Sequence, residues 1–521
     1  MMLTSLILVT ATVTHAAINV RDPVLGDTVI TIFVNQTASY DGQDTCGKTA
    51  TNGCSSIVAA LDSYYNQTLG LTNPNTTVSD ITLNVILCDR YYTGVNNSDL
   101  ILFNINITLS SIDPMEPATI DLAGSARFIN IDIDHDNDTA VEAETPAITN
   151  INLNNLIIIN GNAHKGGVLH SKPPSLSMTV IAISYCSFIN NNASEGGVFY
   201  FNDTGYPEMY ITNSSFSSNT ANWGAILISH QNLVSSMIFC NVTGNSADDG
   251  IIHSLSSTTI IQNSLFDQNS ADNGSIVHSS IDILQLFNSV FSNNRVMEAT
   301  LHSVSGTIDV DTSLFYNNTG SQVVLEGDSG DHYMHLFNSI FIGNTATQSN
   351  SSGAAFRIIN QTICYVYNST FQDNEAVQGD VAYIQDVHTV TFEWCRFVRT
   401  APKPHDISIV SNGTLNIRIE ESYYVPNNTQ PIICQESQIT IENPVNYTYP
   451  LVSCQGDCLT IGQAFCANIH HKKPSLSNAD IGGIILGTAV GITLIGAITL
   501  YVYRRFKSRS QATGYQPIES N

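Results

Sequence analysis

Charge is scarce in this chain of 521 residues: Asp, Glu, Lys and Arg make up 12%, with 18 basic residues against 44 acidic and a net charge of −26. A nucleic-acid partner needs clustered Lys and Arg to neutralise phosphates, so the thinly spread acidic charge argues against that class. Trp is nearly absent, at two residues, which leaves little flat aromatic surface for stacking on sugars. The N-terminus also lacks the basic cluster that usually opens a signal peptide. Leu3 to Val13 is nonetheless an uncharged apolar run, followed by Thr14-His15-Ala16. A signal peptide over residues 1–16, cleaved after Ala16, is therefore expected.

At the other end, Ile481 to Tyr503 carries no charge. At ~1.5 Å rise per residue this stretch reaches roughly 35 Å, enough for a hydrocarbon core of ~30 Å. It has no polar face, so a buried helix of a soluble domain does not fit. Arg504, Arg505, Lys507 and Arg509 follow it directly, as expected on the cytosolic side. A single-pass type I topology follows, with the N-terminal bulk lumenal or extracellular. All eighteen Asn-x-Ser/Thr sequons precede this helix, among them Asn35, Asn66, Asn75, Asn106, Asn192, Asn213, Asn241, Asn368 and Asn446. That placement suits a chain exposed to a glycosylation machinery.

Between the two ends the chain repeats. An aromatic recurs at Phe188, Phe216, Phe266, Phe291, Phe315, Phe341, Phe371 and Phe397, with Val242 in the one missing place, at spacings of 24 to 30 residues. Three residues later comes Asn191, Asn219, Asn245, Asn269, Asn294, Asn318, Asn344 or Asn374, until Thr400 breaks the series. Ala often follows, then Gly, giving Ser/Cys-x-Phe-x-x-Asn-x-Ala-x-x-Gly. Upstream, Ile159 to Ala163 with Gly166-Gly167 looks like a weaker turn, and Phe128 to Asp134 alternates apolar and polar. A fixed period of this size predicts stacked coils that bury a shared core. Phe would fill the core, Asn would form a ladder, and Gly would permit φ > 0 at a corner. The expected class is all-β: a right-handed parallel β-helix over residues 81–430, of about 13 coils and roughly 60 Å at ~4.8 Å per coil. A cap at 17–80, a Cys-containing segment at 431–480, the span at 481–503 and a tail at 504–521 complete the organisation.

The Phe-x-x-Asn repeats, with Gly-Gly-Val at 196–198 and Trp-Gly-Ala-Ile at 223–226, resemble those of chlamydial polymorphic outer-membrane proteins and related proteins of the pectin-lyase-like β-helix class. The resemblance covers roughly residues 150–400. It implies the fold rather than an activity, since this fold hosts lyases, hydrolases, adhesins and scaffolds. The chain departs from the bacterial family in having a transmembrane helix and no C-terminal barrel of alternating strands, which sets aside an autotransporter.

Eleven cysteines divide by position. Cys186, Cys240 and Cys395 sit two before the aromatic, where other coils carry Ser, and are read as small core residues. Cys46 and Cys54, with Cys88 nearby, are expected at the N-terminal cap. Cys434, Cys454, Cys458 and Cys466 form a second cluster. Disulfides are the expectation in an oxidising lumen, with a zinc site from Cys454, Cys458, Cys466 and His470 as the alternative.

Three places bring together residue types that chemistry could use. Polygalacturonases carry Asn-Thr-Asp, Asp-Asp, Gly-His-Gly and Arg-Ile-Lys; only Asp248-Asp249 is present, and it reads as a solvated corner. Asp132, Asp134, Asp136 and Asp138 have calcium-loop spacing but lack the Gly at position six and the Glu at twelve, and so read as a strand end. His253-Ser254, His278-Ser279 and His302-Ser303 recur in phase, with His170-Ser171 earlier. Stacked imidazoles could share a metal, although an ordinary ladder of like residues is the plainer reading. With no carboxylate in register beside them, a serine-hydrolase triad is not supported. No cofactor is called for.

The tail segment Gly514-Tyr515-Gln516-Pro517-Ile518 is similar to the Gly-Tyr-x-x-Φ sorting signal of lysosome-associated membrane glycoproteins. The resemblance implies that a clathrin adaptor reads Tyr515 and Ile518. The expected function is a non-catalytic binding, adhesion or receptor-like glycoprotein of the plasma membrane or endolysosome, with a glycan or protein ligand on a solenoid face. The alternatives are a membrane-tethered polysaccharide lyase or glycosidase, and a glycan-bearing coat that resists proteolysis.

Overall fold

The computed structural model describes residues 28–37, 46–68, 81–132 and 147–400, apart from 174–176, 203–204, 206, 282, 321–322, 349–350 and 399, and the backbone of the strands between 409 and 462. All belong to the compact unit Met1–Asn468. The expected signal peptide, span and tail lie outside the described residues, as do Asn75, Asn446, Asp134, Asp136, Asp138, Cys458, Cys466, His470, Tyr515 and Ile518. Among the described residues no helix is long and apolar enough to cross a membrane.

The chain winds as a parallel β-solenoid of about 11 turns. Its strands form three parallel sheets of 28, 13 and 8 strands. The largest carries two faces of each coil. These faces merge where Val323–Phe337 and Phe356–Tyr367 run straight through the bend that separates them elsewhere. Parallel pairing begins at Thr28–Val34, inside the segment expected as a cap, and continues to Leu459–Gly462. The helix Ile57–Thr68 packs Ile57, Ala60, Leu61 and Tyr64 into the same core cluster as the first strands, next to the Cys46–Cys54 disulfide. Near the other end, strand register sets Cys434 opposite Cys454.

Why these residues make these coils is visible in the strand patterns. Ile81–Leu87 alternates buried and half-buried positions along its whole length, the period of two that puts one face inside. The aromatics stack in register: Phe266 on Phe291 at 4.6 Å between ring centroids, and Phe315 on Phe341 at 4.7 Å. Val242 lies in register between Phe216 and Phe266.

The ladder asparagines are buried, and each amide ties three coils together. Asn269 donates from Nδ2 to Val242 O in the preceding coil and to Asn294 Oδ1 in the next, while its backbone N–H also donates to Asn294 Oδ1. A second ladder occupies the Ser/Cys slot. Ser264 N–H donates to Ser289 Oγ and Ser289 N–H to Ser313 Oγ. The slot explains the cysteines within it. Cys240 Sγ points to Ile238 O at 3.6 Å, as Ser264 Oγ points to Gln262 O at 2.8 Å. Cys186, Cys240 and Cys364 are buried free thiols and Cys88 a half-buried one; Cys395 is buried as well, with Sγ 3.4 Å from Val366 O.

The corners differ in part from the expectation that Gly would make them. Gly196 does take φ 64°, and a Cβ there would meet Phe199 O at 2.2 Å. Most bends, however, are made by the residue just before the Ser/Cys slot or just before the ladder Asn. Asn263, Asn288, Gln268 and Asn293 all have φ between 47° and 55°. Asn tolerates this region because its short polar side chain bonds locally. Gly274 is not among the positive-φ residues; its smallness serves another purpose, described next.

Candidate functional site

One outward column runs along the strands that follow the Asn-Ala corner. In register it reads Asn130, His170, Tyr200, Ile228, His253, His278, His302, Glu326, Arg357 and Tyr383. The expected in-phase histidines are therefore true neighbours. His253 stacks on His278 with ring centroids 4.6 Å apart at 13°, and His302 meets His278 edge-on at 5.0 Å. Each following serine, Ser254, Ser279 and Ser303, is fully buried on the opposite face. Strand alternation thus parts every imidazole from its neighbouring hydroxyl.

Side chains from the preceding corner fold over this column, so that it forms a partly covered trough. Lys165 Nζ donates to Tyr200 OH at 2.8 Å, and His170 Nδ1 pairs with Asn130 Oδ1 at 3.0 Å. His230 lies 3.8 Å from Glu195, and Arg357 pairs with Glu326.

The expectation that no carboxylate lies in register beside the histidines is corrected by Glu326, which pairs in register with His302 in the column, and two more carboxylates reach the rings from outside the register. Glu298 Oε2 lies 3.1 Å from His302 Nδ1, and Asp249 Oδ2 lies 3.7 Å from His253 Nδ1. Neither comes from the strand register. Each sits four residues before its histidine, and the corner between them turns the carboxylate back over the ring. Asp249 is accordingly not a free solvated corner residue, whereas Asp248 is exposed. Between the two acids, at the equivalent place in the middle coil, stands Gly274. A Cβ there would meet Asp249 Oδ1 at 2.1 Å, so the absent side chain is what lets Asp249 lie across the coil.

The electrostatics follow from crowding. Burial, then neighbouring imidazoles, push His253 and His278 from the ordinary 6.5 down to about 4. The hydrogen bond from His302 holds Glu298 below the usual carboxylate range. Burial, then the Glu298 charge, push Asp249 above it. Nδ1 of His253 and of His278 are buried without a hydrogen-bond partner.

The other sequence candidates are scattered. Asp132 ends the strand Ile129–Asp132, far along the chain from the histidine cluster. Among the candidate sequons, Asn66, Asn192, Asn213, Asn241 and Asn368 are exposed and Asn35 and Asn106 half-buried, whereas all eight ladder asparagines are buried. Sequence reasoning missed Glu298, Lys165, Glu195, Tyr200 and His230. The signal for the first was present as Asp249-x-x-x-His253 and Glu298-x-x-x-His302, with Gly274-x-x-x-His278 between them.

A comparison with protein-family models and with curated proteins finds no match, so the likeness to the outer-membrane repeats rests on the repeat and the coil alone.

Proposed function

We propose that the chain is a single-pass type I membrane glycoprotein whose solenoid binds an extended ligand, glycan or protein, along the histidine-lined trough. The observation that carries this reading is the trough itself: polar, aromatic and imidazole side chains, interrupted only by the buried Ile228, follow one another at a fixed rise over ten coils. A polymer laid along it would meet the half-buried members Asn130, His253, His278, His302, Arg357 and Tyr383, the three histidines following one another every ~4.8 Å. The membrane and glycan parts rest on the apolar run Ile481 to Tyr503, on the basic residues after it, and on sequons none of whose described asparagines is buried. The coil is taken as right-handed, the hand of nearly all parallel crossovers, and as of the pectin-lyase-like class. The Tyr515 and Ile518 signal would direct it through a clathrin adaptor between plasma membrane and endolysosome.

A second reading, a tethered polysaccharide lyase or glycosidase, is favoured by one observation. Asp249 and Glu298 are two nearby carboxylates whose proton affinities are pushed in opposite directions, the condition for an acid and a base to share a site. The deciding experiment exposes the full-length protein to a glycan array and to pectin-like polymers at about pH 5 and about pH 7. Binding without cleavage supports the binding protein. New reducing or unsaturated ends, abolished by Asp249→Asn, would establish the enzyme instead.

A further inference from the structure

We propose that His278, Glu298 and His302 form a site for one divalent transition-metal ion, with Asp249 and His253 as its supporting shell. One ligand atom from each of the three lies within 4.8 Å of the other two. A tetrahedral ion with bonds of ~2.0–2.1 Å needs ligand atoms roughly 3.3 Å apart. His302 and Glu298 already meet that at 3.1 Å, and His278, within 4.8 Å of both, would have to move towards them to complete the set.

Three further observations point to a cation rather than to a plain ladder. Nδ1 of His278 is buried and unpartnered, a cost that a metal bond removes. Asp249 lies across the space left open by Gly274, near enough to Glu298 for the two carboxylates to repel each other, an arrangement that a positive charge between them would relieve. His253 is stacked on His278 and faces Asp249, so the ring that would bind is held from behind, as outer-shell partners hold metal ligands. Two imidazoles and one carboxylate suit Zn²⁺, Co²⁺ or Ni²⁺, whereas Ca²⁺ and Mg²⁺ prefer oxygen sets. Three protein ligands leave a position open to solvent or to a group on a bound partner. This inference stands apart from the binding reading above, since the site can hold a metal whether or not the trough takes a polymer.

The test uses tag-free full-length protein, stripped with EDTA and titrated with Co²⁺ and with Zn²⁺. One saturable equivalent is expected, with the intense visible bands of low-symmetry Co²⁺ displaced by Zn²⁺. His278→Ala and His302→Ala should each weaken binding by ~100-fold or more, and Glu298→Gln by at least ~10-fold. His170→Ala, elsewhere on the column, should leave binding unchanged. Far-UV circular dichroism and melting without metal confirm that each variant is folded. Absence of saturable binding, or binding unaltered in the folded His278→Ala/His302→Ala double variant, would overturn the site.

Discussion

At the scale of single residues, stability concentrates in side chains that bridge coils. Asn269 accepts from both the backbone N–H and the Nδ2 of Asn245, each at 3.0 Å, and donates to Val242 O at 2.9 Å. Asn269→Ala leaves buried groups on two coils unpaired and should cost about 2–4 kcal/mol. Thr319→Ala, at an exposed position, should change stability by less than about 0.5 kcal/mol. Urea unfolding of the two variants checks the contrast, and equal midpoints would contradict it. His170 gives a pH dependence. Burial, then Arg127, Lys165 and Lys172, lower its pKa from 6.5 to about 4, while Asn130 and Tyr200 pack against the ring. The unfolded chain binds the proton more readily than the folded one. Stability is therefore fully present above about pH 6.5 and is lost as pH falls towards about 4. The melting temperature of His170→Gln should fall less than that of the parent between about pH 7.5 and about pH 4.5.

At the scale of the coil, the repeated element was legible where side chains point inward. Phe, ladder Asn and Ser/Cys recur because each must stack on its own kind, so period and register could be read directly. The bends were less legible, because the left-handed position tolerates several residue types on the surface. Asn263 and Asn288 hold it in two coils, but Phe239 holds it in the coil before, with φ 56° and its ring 56% exposed. A bulky residue in that conformation is strained, and Phe239→Asn should raise stability by about 1 kcal/mol. A lower melting temperature would instead assign the exposed ring a stabilising contact. The candidate site was half legible for the same reason. The histidines shared a register that the sequence displays, whereas Asp249 and Glu298 reach them across a corner, a path that reading along strands does not follow.

At the scale of the molecule, two populations of asparagine divide the surface from the interior. The eight ladder asparagines are buried, and none begins a sequon, because Ala, Val, Gly or another residue stands where Ser or Thr would be needed. The described sequon asparagines all reach solvent to some degree. Glycopeptide mapping of protein from a eukaryotic host should therefore find glycans at exposed sites such as Asn192, Asn213 and Asn241, and none at Asn219 or Asn269. Modification of a ladder asparagine would contradict the fold described here.

The ladder also has a direction. From Asn191 to Asn344 every side-chain amide donates from Nδ2 to the Oδ1 of the next ladder asparagine, so that from Asn219 to Asn374 each Oδ1 accepts from the earlier coil, while the same Nδ2 groups also hold an earlier carbonyl. Eight amide dipoles thus add head to tail, whereas those of a sheet backbone largely cancel. The interior of the solenoid is electrically polarised along its axis, with the negative end at Asn191 and the positive end at Asn374. As in a helix, the sum favours anionic groups beyond one end and cationic groups beyond the other.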